Sequence, residues 1–376
     1  MTGWTPIPGT PREIQAAPAS KEAVRRAWDC FSPRSYFLSE GWIDSFMETL
    51  PQPSGLYLAR LKSGGEPVCA FLFGTSWFSR QFPFFRRRVF INTSGRIGCD
   101  RSLWLVYNSI LSSDSGESIF QILDHLPFRW HDIILPGLDA DSFPGNCFTG
   151  ESDLFNGFNS RRYRITIESD LPSFYVDLAQ VRKAEGDVML LLKSMHRRNL
   201  KRSYSLIEYY GPVSVSQADS TESALDMFRD LLSLHQASFS RRHRKSAFNT
   251  PYSIRFHETL IRSRFSRREI QLTCIAAGDQ VIGYVYAFVH NGIVYAYQTG
   301  LTKFSDNRIS PGLICHCEMI KHNAALGYSR YDFLAGRESY KSFFSRSHNR
   351  VIWVKVSRPR HPGLGRIFNY RSASTL

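Results

Sequence analysis

A chain of 376 residues, 43% hydrophobic and 14% aromatic, has apolar material for two packed cores, which excludes wholesale disorder. No apolar run approaches eighteen residues, and residues 1–20 have neither a basic start nor an apolar stretch, so a membrane span and a signal peptide are not expected. The net charge of +14 is one-sided: residues 1–165 carry 17 Lys/Arg against 16 Asp/Glu, and residues 166–376 carry 30 against 17. That asymmetry points the second half toward a polyanionic partner: nucleic acid, an anionic membrane surface, an anionic polysaccharide or a phosphate-rich cofactor.

Pro6, Pro8, Pro11 and Pro18 give residues 1–20 the composition of a loose leader. A short amphipathic helix is expected from Ser39 to about Leu50. Two strands should follow, Leu56–Leu61 and Val68–Phe73, joined by a turn at Lys62–Gly65. The aromatic and basic stretch Trp77–Phe90, with Arg86, Arg87 and Arg88, reads as an exposed loop. Arg101–Leu111 and Ser118–Leu126 read as helices, Asp132–Leu135 as a strand, and Arg161–Pro172 as the boundary between two domains.

The second half should open with a strand, Phe174–Leu178, and a helix, Gly186–Ile207. On that helix Leu192, His196, Leu200, Tyr204 and Ile207 share one face, while Lys193, Arg197 and Lys201 line up beside Arg198 and Arg202. Five cations on one side are either a solvated face or a site for a phosphate-bearing or acidic partner. A helix at Ser223–Ser238 leads through the basic loop Ser240–Lys245 to another at Tyr252–Arg264. The clearest strands come next: Ile270–Ala277, Val281–His290 and Ile293–Thr302, with Asn291-Gly292 as the hairpin turn. A helix at Leu313–Leu326, a strand at Ser329–Leu334, a short helix at Glu338–Ser345 and a strand at Val351–Val356 complete the order; no internal sequence repeat is evident.

The seven cysteines are scattered, and Cys315-His316-Cys317 is too tight for the usual two-residue zinc spacing. No metal is expected there, and the protein reads as reduced and cytoplasmic.

Three antiparallel strands, a loop, a helix, a strand, a short helix and a strand form an order that resembles the GNAT N-acetyltransferase core. Four segments sharpen it: Met195–Arg202, Leu234-His235, Asn307–Ile314 and Tyr331–Lys341. Together they resemble the CelD-type (cellulose-biosynthesis-associated) acetyltransferases, which are related to the Fem-type peptidyltransferases and often carry two such folds in tandem. The resemblance covers about Tyr175–Val356 and extends weakly to Phe37–Phe73. It implies an α/β protein with a GNAT-like mixed sheet, two lobes in tandem. Residues 21–165 would be a degenerate GNAT-like lobe, 166–358 the acyltransferase domain and 359–376 a basic tail.

The implied reaction moves an acyl group from acetyl-CoA or another acyl-CoA to an amine or hydroxyl of a sugar or cell-envelope precursor, a role in polysaccharide biosynthesis. A loop entering a helix exposes backbone N–H groups at the positive end of the dipole, so Arg308, Ser310, Gly312 and Leu313 are candidates for the donor's pyrophosphate, with plain helix capping as the bland alternative. Their Ser-Pro-Gly replaces the glycine-rich end usual in GNAT loops, which leaves room for another acyl donor. The resemblance makes Tyr340 a candidate acid for the departing thiolate, against a core tyrosine. Lys341 is a candidate phosphate, carboxylate or carbonyl clamp, and Asp332 an orienting group for Lys341, Arg337 or the incoming amine. His235 is the candidate base, because an imidazole near pKa 6.5 suits removal of a proton from an amine. Two rival functions remain open: a Fem-like transferase using aminoacyl-tRNA, which the basic half would suit, and a non-catalytic basic binding module.

Overall fold

The computed structural model describes residues 12–52, 55–81, 84–112, 126, 128–140, 163–241 and 248–358. In chain order the elements are β1 (Arg12–Pro18), α1 (Lys21–Trp28), α2 (Glu40–Thr49), β2 (Leu56–Ser63), β3 (Glu66–Gln81), β4 (Phe84–Ile91), α3 (Ile97–Asp100), β5 (Leu111–Ser112) and β6 (Asp132–Asp139). Then follow β7 (Arg164–Asp177), α4 (Leu178–Lys183), α5 (Ser194–Ile207), β8 (Val213–Gln217), α6 (Thr221–Arg241) and α7 (Pro251–Arg264). The last are β9 (Ile270–Ala277), β10 (Gln280–His290), β11 (Ile293–Leu301), α8 (Pro311–Ala325), β12 (Arg330–Ala335), α9 (Ser339–Phe344) and β13 (His348–Ser357).

Local chemistry sets many of these limits. The Ser39 side chain accepts from the Trp42 N–H at the start of α2, and Thr250 accepts from the Ser253 N–H at the start of α7, with Pro251 in its first turn. Asn291 and Gly292 take φ of 49° and 75°, the positive pair that a tight two-residue hairpin turn requires. The meander β9–β11 and the helix and strand after it fall where the sequence places them.

Five expectations need correction. Arg12–Pro18 is not leader but a strand antiparallel to β2 along its whole length. The stretch expected as a loop over Trp77–Phe90 is strand at 77–81 and 84–90, on the β3–β4 pair, and Arg86 reaches Asp132 of β6 at 3.0 Å. Arg101–Leu111 is not helical, because Trp104 and Tyr107 take φ of 41° and 51°, which break the helical path. The helix expected over Gly186–Ile207 divides into a 3₁₀ turn, Val188–Leu191, and α5. Finally, the strand expected over Phe174–Leu178 starts earlier, because β7 runs from Arg164 across the expected boundary, pairing with β13 and then β12, so the halves share a sheet. The helix expected at 118–126, apart from its last residue Leu126, most of the basic loop 240–245, residues 1–11 and the tail 359–376 lie outside the described residues.

Among the described residues thirteen strands form one sheet, in the order β1-β2-β3-β4-β6-β13-β7-β12-β11-β10-β9-β8, with β5 on β3. The same wiring occurs twice. In the first half a strand, two helices and three antiparallel strands (β1, α1, α2, β2–β4) lead to β6, which joins β4 in parallel. In the second half β8, α6, α7 and β9–β11 lead through α8 to β12, which joins β11 in parallel. The lobes are therefore two mixed α/β units in tandem, closed on each other by β7 and β13. α6 packs on one face of the second unit and α5 and α8 on the other. Gly300 allows the first approach: a Cβ there would lie 2.5 Å from the Leu231 carbonyl oxygen of α6.

Candidate active site

The site begins with a gap in the sheet. β11 and β12 pair only where Ile293–Tyr295 meet Arg330–Asp332, although β11 continues to Leu301 and β12 to Ala335. Beyond Tyr295 the two parallel strands diverge. Within the same stretch the register against β10 slips by one residue, since Ala296 faces Ala287 and Gln298 faces Tyr286. Tyr297 is the extra residue of this β-bulge, a device that re-aims backbone groups beside functional sites. Among the described residues, the β11 edge in this gap has no strand partner on the β12 side beyond Tyr295.

At the far side of the gap Leu334 is held in the left-handed region, φ 61°, which a leucine rarely adopts. Both of its backbone groups are clamped. Its N–H donates to Asp332 Oδ1 at 2.8 Å, and its carbonyl accepts from Lys341 Nζ at 3.1 Å. Lys341 Nζ also donates to the Ala335 carbonyl at 3.0 Å and pairs with Glu338 at 3.0 Å. Burial pushes the Lys341 ammonium below its ordinary pKa, against the opposing charge of Glu338. Asp332 is fully buried and receives Tyr107 Oη at 2.7 Å, Ser173 Oγ at 3.1 Å and Arg330 Nη2 at 2.6 Å. Burial raises its pKa, and Arg330 opposes that shift. Asp332 and Lys341 therefore fix the end of β12 and, through Tyr107, the first lobe. Protein partners thus occupy the bonding groups of the two residues expected to orient an amine and to clamp a substrate charge.

Tyr340 enters from α9, partly buried, with its ring parallel to that of His316 at 5.0 Å and edge-on to Phe333 at 6.0 Å. Burial and then the Glu338 charge raise its pKa, so it stays protonated at neutral pH. His316 donates to or accepts from Tyr331 Oη at 2.9 Å, and burial draws its pKa down to about 3. His235 lies on the other face of the sheet. It is buried beneath Phe239 and meets Gln298 of β11 at 3.1 Å, next to the bulge. Burial lowers it to about 4, opposed by the Gln298 bond, so it is neutral at pH 7 and weakly basic.

The loop before α8 departs from the expected anion cradle. Arg308 is turned back onto Asp306, Nη2 to Oδ2 at 2.7 Å, and that contact draws the Asp306 carboxyl down to about 2. Ser310 occupies the N-cap position without a side-chain cap bond, and its N–H donates to Ser203 Oγ of α5 at 2.8 Å. Pro311 has no N–H, and the Leu313 and Ile314 N–H groups turn back to the Ser310 carbonyl. Among the described residues, Gly312 keeps the first-turn N–H open to a ligand. On α5, Arg197 is not part of a solvated row: its guanidinium donates to the Met189 and Leu192 carbonyls at 2.9 and 3.2 Å. Arg198, Lys201 and Arg202 remain exposed.

The structure thus brings Tyr340, Lys341 and Asp332 to one end of β12, sets His235 across the sheet, and places Arg308–Leu313 at the start of α8. Tyr107, Ser173, Gln298 and Ser203 were missed in the sequence; they are isolated polar residues whose partners are far along the chain. Among the described residues no cluster of His, Cys, Asp or Glu forms a metal site, and no helix is long and apolar enough to cross a membrane.

A family model described as an acetyltransferase (GNAT) domain matches residues 194–342. Residues 194–342 are a GNAT acetyltransferase domain. The match begins at the first residue of α5 and ends within α9, so this domain encloses the gap, the loop and Tyr340. The protein is a transferase, and a GNAT domain implies an acyl-CoA substrate in general. No curated protein sequence matches the chain. Among solved structures, FemX is 9% identical with a TM-score of 0.53, covering 90% of this chain and 96% of its own. A conserved protein of unknown function from Bacteroides thetaiotaomicron is 9% identical with a TM-score of 0.52, covering 92% of this chain and 100% of its own. The C-terminal DUF2156 domain of an Agrobacterium fabrum protein is 9% identical with a TM-score of 0.51, covering 90% of this chain and 92% of its own. These likenesses concern the fold and extend it over both lobes.

Proposed function

We propose that the GNAT domain transfers an acyl group, acetyl or longer, from acyl-CoA to an amine or hydroxyl of a sugar or cell-envelope precursor, as the CelD-type resemblance implies. The observation that carries this reading is the divergence of β11 from β12 beside the Tyr297 bulge. An open strand edge binds an extended chain by adding hydrogen bonds to it, and the amide-bearing arm of CoA is such a chain. An N–H of the Ala296–Leu301 stretch then meets the thioester oxygen as it becomes an oxyanion, an interaction worth about 10²–10³ in rate.

In the reaction the acceptor nitrogen attacks the carbonyl carbon, the C–S bond breaks and sulfur leaves with the electron pair. Tyr340 donates a hydrogen bond to that sulfur from the α9 side. Its raised pKa favours this role over giving up the proton outright, since a thiol near pKa 8.5 is the stronger acid. His235, at about 4, gives little drive for deprotonating an ammonium, so the amine arrives as its free base and its surplus proton passes to solvent.

A second reading has its own support. Ser203 and Pro311 remove two donors from the start of α8, and Arg198, Lys201 and Arg202 stay exposed, which suits a Fem-like enzyme using aminoacyl-tRNA. One experiment separates the readings: acetyl-CoA is incubated with a panel of amino sugars, with thiol release and acylated product recorded, beside a salt titration with charged tRNA. Thiol release that depends on an acceptor supports the first reading. Saturable, steeply salt-dependent tRNA binding without thiol release replaces it with the second.

A further inference from the structure

The basic run at 195–202 is only partly accounted for by the transfer site. At its start, a pocket of about 330 Å³ opens between the 3₁₀ turn before α5 and the end of α9. That volume falls in the lower range of small-molecule sites. Leu192 and Phe343 form its apolar wall, Ser342 is on its rim, and Lys193, His196 and Arg346 supply its polar groups.

Lys193 and Arg346 are exposed, and among the described residues neither has a carboxylate within ion-pairing distance. Two unpaired cations from separate elements therefore converge on one concave surface. His196 is more constrained. Its ring lies parallel to Phe343 at 4.3 Å, and its Nδ1 is 2.9 Å from the Phe343 carbonyl. A carbonyl oxygen can only accept, so Nδ1 carries the proton and Nε2 is left to accept from a ligand hydroxyl. Lys193 is also the N-cap of α5, whose end has no side-chain cap, so the positive end of that helix adds to the two cations.

We propose that this pocket is a binding subsite for a phosphate ester carried by the acyl donor or by the acceptor. Its use in transfer rests on the acyltransferase reading; its affinity for phosphate does not. The apolar wall takes the body of the ligand, Lys193 and Arg346 meet the phosphate oxygens, and His196 reads a neighbouring hydroxyl.

The test is calorimetric titration of pyrophosphate into the full chain, comparing wild type, the double variant Lys193→Ala with Arg346→Ala, and Arg308→Ala as the control at the other candidate anion site. Removing one cation from the phosphate should weaken binding roughly tenfold, so the double variant should bind at least tenfold more weakly while Arg308→Ala changes little. Both truncated side chains are exposed, and unchanged melting temperatures confirm intact folds. Wild-type affinity in the double variant, or a weakening confined to Arg308→Ala, overturns the proposal. Repeating the titration with CoA and with uridine diphosphate separates the sources: weakened CoA binding assigns the phosphate to the donor, weakened uridine diphosphate binding to the acceptor. If neither weakens, the substrate role is overturned. A failed transferase reading would look different, with no thiol release from any acceptor while pyrophosphate binding follows the pattern above.

Discussion

Replacing Lys341 by alanine should cost stability before it costs chemistry. The residue is 5% exposed, and its Nζ serves the Leu334 and Ala335 carbonyls at 3.1 and 3.0 Å. Removing it leaves two buried acceptors short of a donor, at about 1–3 kcal/mol each, less whatever water can enter the space. It also releases one of the two clamps on Leu334, whose left-handed backbone stores about 1–3 kcal/mol. The ion pair adds little, because Glu338 is 59% exposed and can turn to solvent. The sum is a loss of about 2–4 kcal/mol, and Glu338→Gln should change stability by well under 1 kcal/mol. Urea unfolding at pH 7 measures both. A Lys341→Ala protein of wild-type stability with abolished turnover would refute this reasoning and restore Lys341 as a substrate clamp.

Other changes test neighbouring parts of the account. Tyr107→Phe removes the hydroxyl that joins the first lobe to buried Asp332 at 2.7 Å and should cost about 1.5–3 kcal/mol in urea; an unchanged midpoint would mean the lobes are held elsewhere. His316 is held neutral until about pH 3, while an unfolded histidine takes its proton near 6.5. The unfolded state therefore binds more protons below 6.5, and this residue's contribution to stability falls as pH drops from about 6.5 toward 3. His316→Gln should flatten that part of the stability–pH curve, and an equal slope in both proteins would contradict the assignment. Tyr340→Phe should lower kcat about 10²-fold or more with donor affinity and melting temperature little changed; a wild-type kcat would remove Tyr340 from the mechanism.

The legible parts of this fold were those whose cause lies within a few residues. Alternating apolar residues and Asn291-Gly292 define β9–β11, and Ser39 marks the start of α2 through its own side-chain bond. Leu200 and Ile207 are buried on α5, as their spacing requires. Errors arose where distant partners decide. Leu103, Leu105, Val106, Ile110 and Leu111 are spaced for a helix, yet Leu103 is fixed by Tyr297 and Tyr107 by Asp332, 225 residues away. Asp332 and Lys341 could be recognised as special but not as structural, because the carbonyls and hydroxyls that occupy them come from a backbone path no local pattern specifies. The tandem wiring was equally hidden, since the two lobes repeat an order of elements and not a sequence.

The central claim is that the donor lies along the open edge of β11. Amide hydrogen exchange of the full chain, with and without acetyl-CoA, reads that edge directly and needs no acceptor. Amides of Ala296–Leu301 that face β12 have no strand partner among the described residues and should gain protection on binding, together with Gly312 at the start of α8. Protection of Gly312 alone would leave the donor outside the gap. Acetyl-CoA binding that leaves both segments exchanging as before would contradict the account.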